Sequence, residues 1–265
     1  RRSVTQLSPF ARRPTDVQAF GIPSAEGARL ATMLRPIATP LLMSGFEPEA
    51  VDLLSGILAD AGLVPVAGGA IGGTASDEEL AALAGPLREG DAVGVSLVGG
   101  DIEMGATGTI THIDGGKVYG FGHPFFNLGP SELPMTRAYV YAMMPSLMSS
   151  FKISTMGDVI GTMTQDRATA IAGTLGPGPR TVPMKVTLRS TRGGETTNRT
   201  FNFEIGTDQT FTPLVAYVTL FNTLSGYERG FGSATFALKG AARVAGHPSV
   251  TFEDVFAGEA PALAA

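Results

Sequence analysis

Glycine and proline are so frequent along this chain that a bundle of long helices is disfavoured. The 265 residues include 35 glycines and 18 prolines, and both residue types interrupt helices and mark turns. Short strands joined by many turns fit this punctuation better. Hydrophobic residues make up 43% of the chain, which at this length is enough to bury a sizeable core. The composition therefore predicts one large domain or two small ones.

The first third of the chain carries a strand, helix, strand pattern. Two short apolar runs, residues 39–46 and 63–66, flank a segment whose apolar side chains recur at helical spacing. Such a unit normally forms a parallel strand pair with a right-handed crossover. The sequence predicts a small α/β unit at residues 23–75, preceded by an extended basic arm at residues 1–22.

The remainder of the domain, residues 76–257, is dominated by β-type patterns. Its clearest predicted hairpin joins residues 182–190 to residues 199–205, since apolar and polar side chains alternate strictly in both runs. Many short strands with long-range pairing are typical of a barrel or a sandwich. The predicted fold class is therefore α+β, a small α/β N-terminal layer followed by a mainly β barrel- or sandwich-like domain.

The C-terminal quarter interrupts the β pattern once. Residues 211–224 place apolar side chains at helical spacing, which predicts a helix. Residues 234–244 and 250–256 return to strand patterns and are predicted to complete the main sheet. The last residues, 258–265, are predicted to form a frayed tail.

The segment GTITHIDGGKVYGFGHP, residues 108–124, places one of only three histidines on a short corner. Two β-branched or aromatic runs separated by Asp-Gly-Gly are a hairpin signal. After the second run, Gly120 and Gly122 allow tight backbone approach, and Pro124 holds His123 out of the helical region. A positioned imidazole is a candidate for chemistry. The alternative is a structural histidine that caps the end of a strand.

This segment resembles the histidine segment of the SpoIVB-type serine peptidases, a sporulation-related group whose wider membership includes long secreted proteins of Gram-negative bacteria. The resemblance covers about residues 90 to 256 and implies an extracytoplasmic serine endopeptidase that acts on protein or peptide. Further matching blocks follow in the same order, at residues 126–130, 134–139, 149–152, 159–162, 165–167 and 171–176.

The resemblance also implies roles for individual residues. His123 would be the general base that removes a serine proton, with Asp166 as the acid that orients the imidazole. Backbone amides of the glycine turns at Gly120 and Gly122 would donate to the oxyanion. The residues alone favour another interpretation of Asp166, as a structural ion pair or turn contact beside Arg167.

One departure from the family pattern concerns the nucleophile. Family members are expected to carry a reactive serine in a Gly-x-Ser-Gly-Ser-Pro segment, and Ser-Gly-Ser-Pro does not occur in these residues. Ser44, Ser225 and the pair Ser149-Ser150 lie in no nucleophile turn of the G-x-S-x-G type. The resemblance implies that the serine segment lies upstream of the histidine segment, in a part of the precursor that this chain lacks. The missing initiating methionine fits either a natural processed fragment or an artificially delimited piece of that precursor.

Two hypotheses for function follow from this pattern. In the first, the chain is the histidine-bearing part of a SpoIVB-like peptidase, inactive alone, whose partner is the upstream fragment. In the second, the fold is a non-catalytic scaffold that binds a protein complex of the envelope, with any membrane association made through that partner.

Composition and residue spacing argue against several other classes of function. The net charge is −5 and only 16% of residues are charged, so no basic footprint for nucleic acid exists. The absence of cysteine excludes disulfides, thiolate nucleophiles and cysteine metal sites. His112 and Asp114 share a strand face, yet the three histidines lack the spacing of a zinc site. The glycine-rich residues 68–76 lack the lysine of a phosphate loop, so neither metal nor cofactor is predicted.

Overall fold

The computed structural model describes residues 15–16, 33–34, 38–58, 62–68, 78, 81, 83–145, 150–192, 194–227, 234–259 and 261–265. Within these residues the protein is mainly β, and its centre is one ten-stranded sheet. The strands of this sheet are β3 (Thr39–Ser44), β4 (Leu63–Ala67), β5 (Ala92–Gly100), β6 (Glu103–Asp114), β7 (Lys117–Gly120), β8 (Gly129–Met144), β9 (Phe151–Arg167), β10 (Ala170–Leu175), β11 (Thr181–Arg192) and β12 (Glu195–Gly206).

The middle of this sheet closes on itself. The strand order is β11-β12-β5-β8-β9-β10-β7-β6-β3-β4, and β5 pairs with β6 in addition. Six strands, β5, β8, β9, β10, β7 and β6, therefore form a closed region, and β12 and β3 extend from it on either side. The predicted fold class, a small α/β layer followed by a mainly β domain, is confirmed.

The α/β unit is continuous with the large sheet. Between β3 and β4 lies helix α1 (Pro48–Leu58), which buries Ala50, Leu54 and Leu58 at four-residue spacing. Strands β3 and β4 are parallel, so the predicted strand, helix, strand unit is confirmed. Because β3 also pairs antiparallel with β6, this unit shares a sheet with the β-rich part. The predicted boundary between residues 75 and 76 lies outside the described residues.

Local sequence patterns account for two hairpins. Strands β6 and β7 are joined by Gly115 and Gly116, whose φ angles are 51° and 85°, as a two-residue hairpin turn requires. Strands β11 and β12 pair along their whole length. Both hairpins confirm the sequence predictions.

Helix α2 (Phe211–Tyr227) confirms the predicted C-terminal helix. The Asp208 carboxylate begins it by accepting hydrogen bonds from the amides of Thr210 and Phe211 at 2.8 and 3.0 Å. At its other end the Tyr227 ring packs on Phe201 of β12, with centroids 4.6 Å apart. No described helix has the length and apolar character needed to cross a membrane.

Two predictions for the C-terminal region are wrong. Strands β13 (Ala234–Ala242) and β14 (Val250–Gly258) do not complete the main sheet but form a separate two-stranded sheet. Among the described residues these two strands pair only with each other, although one side of β13 is partly buried and its Phe236 packs against the core. The last residues form a short helix, α3 (Pro261–Ala264), in which Ala262 is 1% exposed. Burial of Ala262 packs this segment onto the protein, where a frayed tail was predicted.

The N-terminal residues contribute one small described element. Strands β1 (Thr15–Asp16) and β2 (Met33–Leu34) pair antiparallel. The rest of the predicted arm at residues 1–22 lies outside the described residues.

The buried core has a large and a small part. The large part joins α1 and α2 to the sheet and contains the fully buried Phe125, Phe203 and Phe211. The small part is contributed by the closed region, with Val93 and Ile110 at its centre. The histidine segment lies where these two parts meet, because Phe121 packs against both.

Candidate functional site

The corner that carries His123 begins directly after β7. Two successive residues, Phe121 and Gly122, have left-handed φ angles of 74° and 75°, which is uncommon for an aromatic residue. Phe121 is held there from two sides. Its amide donates to the Thr109 carbonyl at 2.9 Å, and its ring lies so close to Gly108 that a Cβ there would be 2.2 Å away. The glycine of β6 therefore makes room for the turn that presents His123.

The His123 imidazole is half-buried and fixed through Nδ1. Nδ1 lies 2.8 Å from the Pro124 carbonyl oxygen. Because a carbonyl oxygen only accepts, Nδ1 carries the proton in this contact, and in the neutral ring Nε2 keeps the lone pair. The Thr39 hydroxyl donates to the same carbonyl at 3.1 Å and lies 3.5 Å from Nδ1. Among the described residues, nothing hydrogen-bonds to Nε2.

Asp166 fixes the loop that follows His123. Its side chain is 0% exposed, and its carboxylate accepts three backbone hydrogen bonds, from Phe125 at 2.8 Å, Phe126 at 2.7 Å and Leu128 at 2.9 Å. Three amide donors satisfy a buried carboxylate without a counter-ion. This buried clamp, at the end of β9, holds the loop against the core.

Of the roles considered from the sequence, the contacts of Asp166 fit the structural turn contact and neither the orienting acid nor the ion pair. The nitrogen of His123 that an orienting acid would hold is bonded to the Pro124 carbonyl instead. The expected ion pair with Arg167 is also replaced, because the Arg167 guanidinium donates to the Gln165 side chain at 2.8 Å. Asp166 therefore acts on His123 through the loop backbone, which corrects the direct contact that the resemblance implied.

Glycine is required at the two positions of the corner for different structural reasons. Gly120 lies in β7 between two partner strands, and a Cβ there would be 3.0 Å from the Thr109 carbonyl and 3.3 Å from Val93. Gly122 has open space around its Cβ position, so only its left-handed φ demands glycine. Their role as oxyanion donors stays a prediction, and exposed Gly122 is the better placed of the two.

The other histidines lie away from the corner. His112 Nδ1 contacts the Glu89 carboxylate at 2.6 Å, and both side chains are more than half exposed. The hydrogen bond from His112, with a smaller contribution from the Ile113 amide, lowers the pKa of Glu89. His247 lies in the exposed turn between β13 and β14. Within the described part of the chain, no three acidic or histidine side chains form a group that could hold a metal ion.

The candidate serines are distributed over separate elements. Ser44 ends β3, Ser225 lies near the end of α2, and Ser150 directly precedes β9, whereas Ser149 lies outside the described residues. Among the described residues, the one hydroxyl that contacts the His123 ring is that of Thr39. No local pattern signals this contact, because 84 residues separate Thr39 from His123. The two meet because β3 pairs with β6, one of the strands of the histidine hairpin.

Comparison of the chain with protein-family models, with curated proteins and with solved structures finds no match. The resemblance to SpoIVB-type peptidases therefore rests on the ordered motifs quoted above. Function has to be argued from the geometry of the His123 corner.

Proposed function

We propose that this chain is the histidine-bearing part of a SpoIVB-like serine endopeptidase, with His123 as its general base. The observation that carries the proposal is the 2.8 Å contact between Nδ1 and the Pro124 carbonyl. It leaves Nε2 as the basic nitrogen, and a backbone carbonyl holds the ring in the orientation that a carboxylate holds in a Ser-His-Asp triad.

The surroundings of His123 support the positioning that a general base needs. Small errors in the placement of a catalytic group cost large factors in rate. The clamp formed by Asp166 fixes the loop on one side, and the Thr39 hydroxyl fixes the Pro124 carbonyl on the other. Thr39 is a supporting residue in this proposal, because its proton is donated to Pro124 and its oxygen lies beside the protonated nitrogen.

The nucleophile in this proposal comes from another polypeptide. Nε2 accepts the proton of that serine as its oxygen attacks the peptide carbonyl, and the proton later passes to the leaving amine. A turn amide at Gly122 is the proposed donor to the oxyanion. The resemblance supplies the rest of the proposal, namely a protein or peptide substrate and an extracytoplasmic location.

Labelling with a fluorophosphonate tests this function. The chain is mixed with the polypeptide that carries the Ser-Gly-Ser-Pro segment, and the labelled serine is located by mass spectrometry. We expect labelling on the added polypeptide, at a rate that falls about 100-fold or more with His123→Ala. The matched control is His112→Ala, which removes an exposed histidine and should leave the rate unchanged. Labelling of a serine in the isolated chain, or full labelling with His123→Ala, would overturn the proposal.

One observation favours the scaffold as a second candidate. The β13–β14 hairpin exposes Val250, Phe252 and Val255 at 57%, 50% and 60%. An isolated two-stranded sheet is marginally stable in water, and large exposed apolar side chains on such a sheet are candidates for a protein-binding surface. A photo-cross-linking residue at Val255 should then capture a defined envelope protein that the same residue at Thr187 does not. Equal capture at both positions would remove this candidate.

A further inference from the structure

Strands β6 and β9 contact each other through polar side chains although they are not neighbours in the sheet. The Ser154 hydroxyl of β9 donates to the Thr107 hydroxyl of β6 at 2.8 Å. The Lys152 ammonium, two residues before Ser154 on β9, donates to the hydroxyl of Thr109, two residues after Thr107 on β6. Because side chains two apart share a strand face, these four residues form one row, which we call the hydroxyl row.

Lys152 is the unusual member of the hydroxyl row. It is half-buried, its hydrogen-bond partner is a neutral hydroxyl, and no carboxylate in the described residues pairs with it. Burial without a compensating negative charge disfavours the ammonium form, and it lowers the pKa of Lys152. A larger share of this amine is therefore neutral, and nucleophilic, at a given pH.

Three charged groups on or next to the surrounding strands, Glu103, Asp91 and Arg137, are bonded elsewhere. Glu103 lies six residues before Thr109 on β6, roughly 20 Å along the strand, and its carboxylate accepts bonds from β9. Asp91, just before β5, accepts the Arg88 amide at 2.8 Å. On β8, the Arg137 guanidinium donates to the carbonyl of Gly85. None of these bonds supplies a counter-ion to Lys152 or an anion-binding group beside it.

We propose that Lys152 is a nucleophilic amine that forms covalent adducts with small hydroxyaldehydes in the hydroxyl row. The neutral amine attacks the carbonyl carbon, a carbon–nitrogen bond forms, and a proton moves from nitrogen to oxygen. The resulting carbinolamine loses water and leaves an imine. The Thr109 hydroxyl, which accepts from Lys152, can donate to the hydroxyl of the aldehyde, and the Ser154 oxygen, whose proton goes to Thr107, can accept from it. Neutral hydroxyls favour an uncharged polar ligand over a phosphorylated one.

The chain contains its own controls for this proposal. Its four lysines are Lys117, Lys152, Lys185 and Lys239, and the other three are exposed. The folded chain is treated at pH 7 with glycolaldehyde and cyanoborohydride, which reduces the imine, and adducts are counted by mass spectrometry. We expect at least tenfold more adduct at Lys152 than at any other lysine. Equal or lower modification of Lys152 would overturn the proposal.

Unfolding shows whether the folded site creates the reactivity. In concentrated guanidinium chloride the four lysines should react alike, because the burial that distinguishes Lys152 is lost. Preferential reaction of Lys152 in the unfolded chain would assign the effect to local sequence and overturn the proposal.

A hydroxyl deletion tests the ligand class separately from the reactivity of the amine. The readout is the ratio of glycolaldehyde to propionaldehyde adducts at Lys152, in which any change of amine basicity cancels. Thr109→Val should lower this ratio at least threefold, whereas Thr111→Val, at an exposed residue of β6 whose hydroxyl donates to the Tyr119 carbonyl, should leave it unchanged. An unchanged ratio in Thr109→Val would refute the hydroxyaldehyde specificity. The wild-type labelling does not depend on the folding of either variant.

Discussion

Two carboxyl groups connect β9 to the rest of the molecule, and their surroundings differ. Asp166, near the end of β9, accepts three backbone amide bonds of 2.7 to 2.9 Å and is 0% exposed. Glu103, at the start of β6, accepts a hydroxyl bond from Thr155 at 2.8 Å and a longer amide bond from Met156 at 3.3 Å. Burial therefore raises the pKa of Glu103, with the two hydrogen bonds acting in the opposite direction. A full set of backbone donors is what lets a buried carboxylate serve as a permanent clamp.

The two carboxylate contacts of β9 therefore differ in how firmly they hold their partners. At the Asp166 end the clamp fixes the loop of residues 125–128 and, through Pro124, the imidazole of His123. At the Glu103 end the contact joins the Glu103 side chain of β6 to Thr155 and Met156 of β9, and the raised pKa of Glu103 predicts that this contact responds to pH. The fixed end lies at the proposed catalytic corner, whereas the adjustable contact is made at Thr155, which follows Ser154 of the hydroxyl row in the sequence.

The largest expected effect comes from Asp166→Asn. An amide keeps one acceptor oxygen and places an NH₂ group against a backbone N–H, so at least one buried amide loses its partner. We expect the free energy of unfolding to fall by about 2–4 kcal/mol, measured by denaturant unfolding. The control is Asp158→Asn, an exposed position on the same strand, which should have little effect.

The same variant also tests whether the clamp positions His123. In Asp166→Asn, the ring resonances of His123 followed by NMR should broaden or shift, while those of exposed His112 stay in place. Unchanged stability together with unchanged His123 resonances would contradict this contrast between the two ends of β9. Asp166 would then contribute no more to stability or to the position of His123 than Glu103 does.

A smaller loss is expected from Gly122→Ala at the same corner. The Cβ meets no atom within 4 Å, but the φ of 75° is left-handed, so the cost is conformational, about 1 kcal/mol. Gly56→Ala is the matched control, since Gly56 lies in α1 with equally open space and alanine should stabilise a helix by about 0.5–1 kcal/mol. Shifts of the denaturant midpoint in opposite directions for the two variants would support a conformational cost at Gly122. An unchanged midpoint in Gly122→Ala would contradict it.

Elements whose formation depends on neighbouring residues in the sequence were predicted from local sequence patterns. The alternation of β11 and β12 and the helical spacing of α2 were sufficient to identify these elements. In the long hairpin of β8 and β9, the sequence pattern indicates strand only at residues 138–143 and 159–164, which is part of its length. Its register shifts at several points, and such bulges break the alternation by which strands are identified.

The site was less predictable, because its contacts join distant segments through the backbone. The sequence identified His123 and the tight turn around it from glycine and proline alone. Hydrogen bonds from a carboxylate to loop amides leave no residue pattern, so the clamp made by Asp166 was visible only in the fold. The same holds for Lys152, whose burial depends on the packing of β9 over β6.

The smallest expected effect concerns Glu103→Gln, and it depends on pH. A carboxyl group whose pKa is raised by folding binds its proton more tightly in the folded state, so its contribution to stability is fully present below the ordinary value of 4.5. That contribution is lost as the pH rises through the folded-state pKa. Wild type should therefore gain stability relative to Glu103→Gln as the pH falls from 7 to 4.5, and Glu103→Gln should be at least as stable at pH 7.

Denaturant midpoints at several pH values measure this difference, with Glu132→Gln as the control because Glu132 is exposed on β8. A difference between wild type and Glu103→Gln that does not change with pH would mean that Glu103 is as well compensated as Asp166. The contrast between the two ends of β9 would then lie only in their hydrogen-bond partners, three backbone amides for Asp166 and one hydroxyl with one longer amide bond for Glu103. A pH-dependent difference confined to Glu103→Gln instead identifies its contact with Thr155 as the adjustable one.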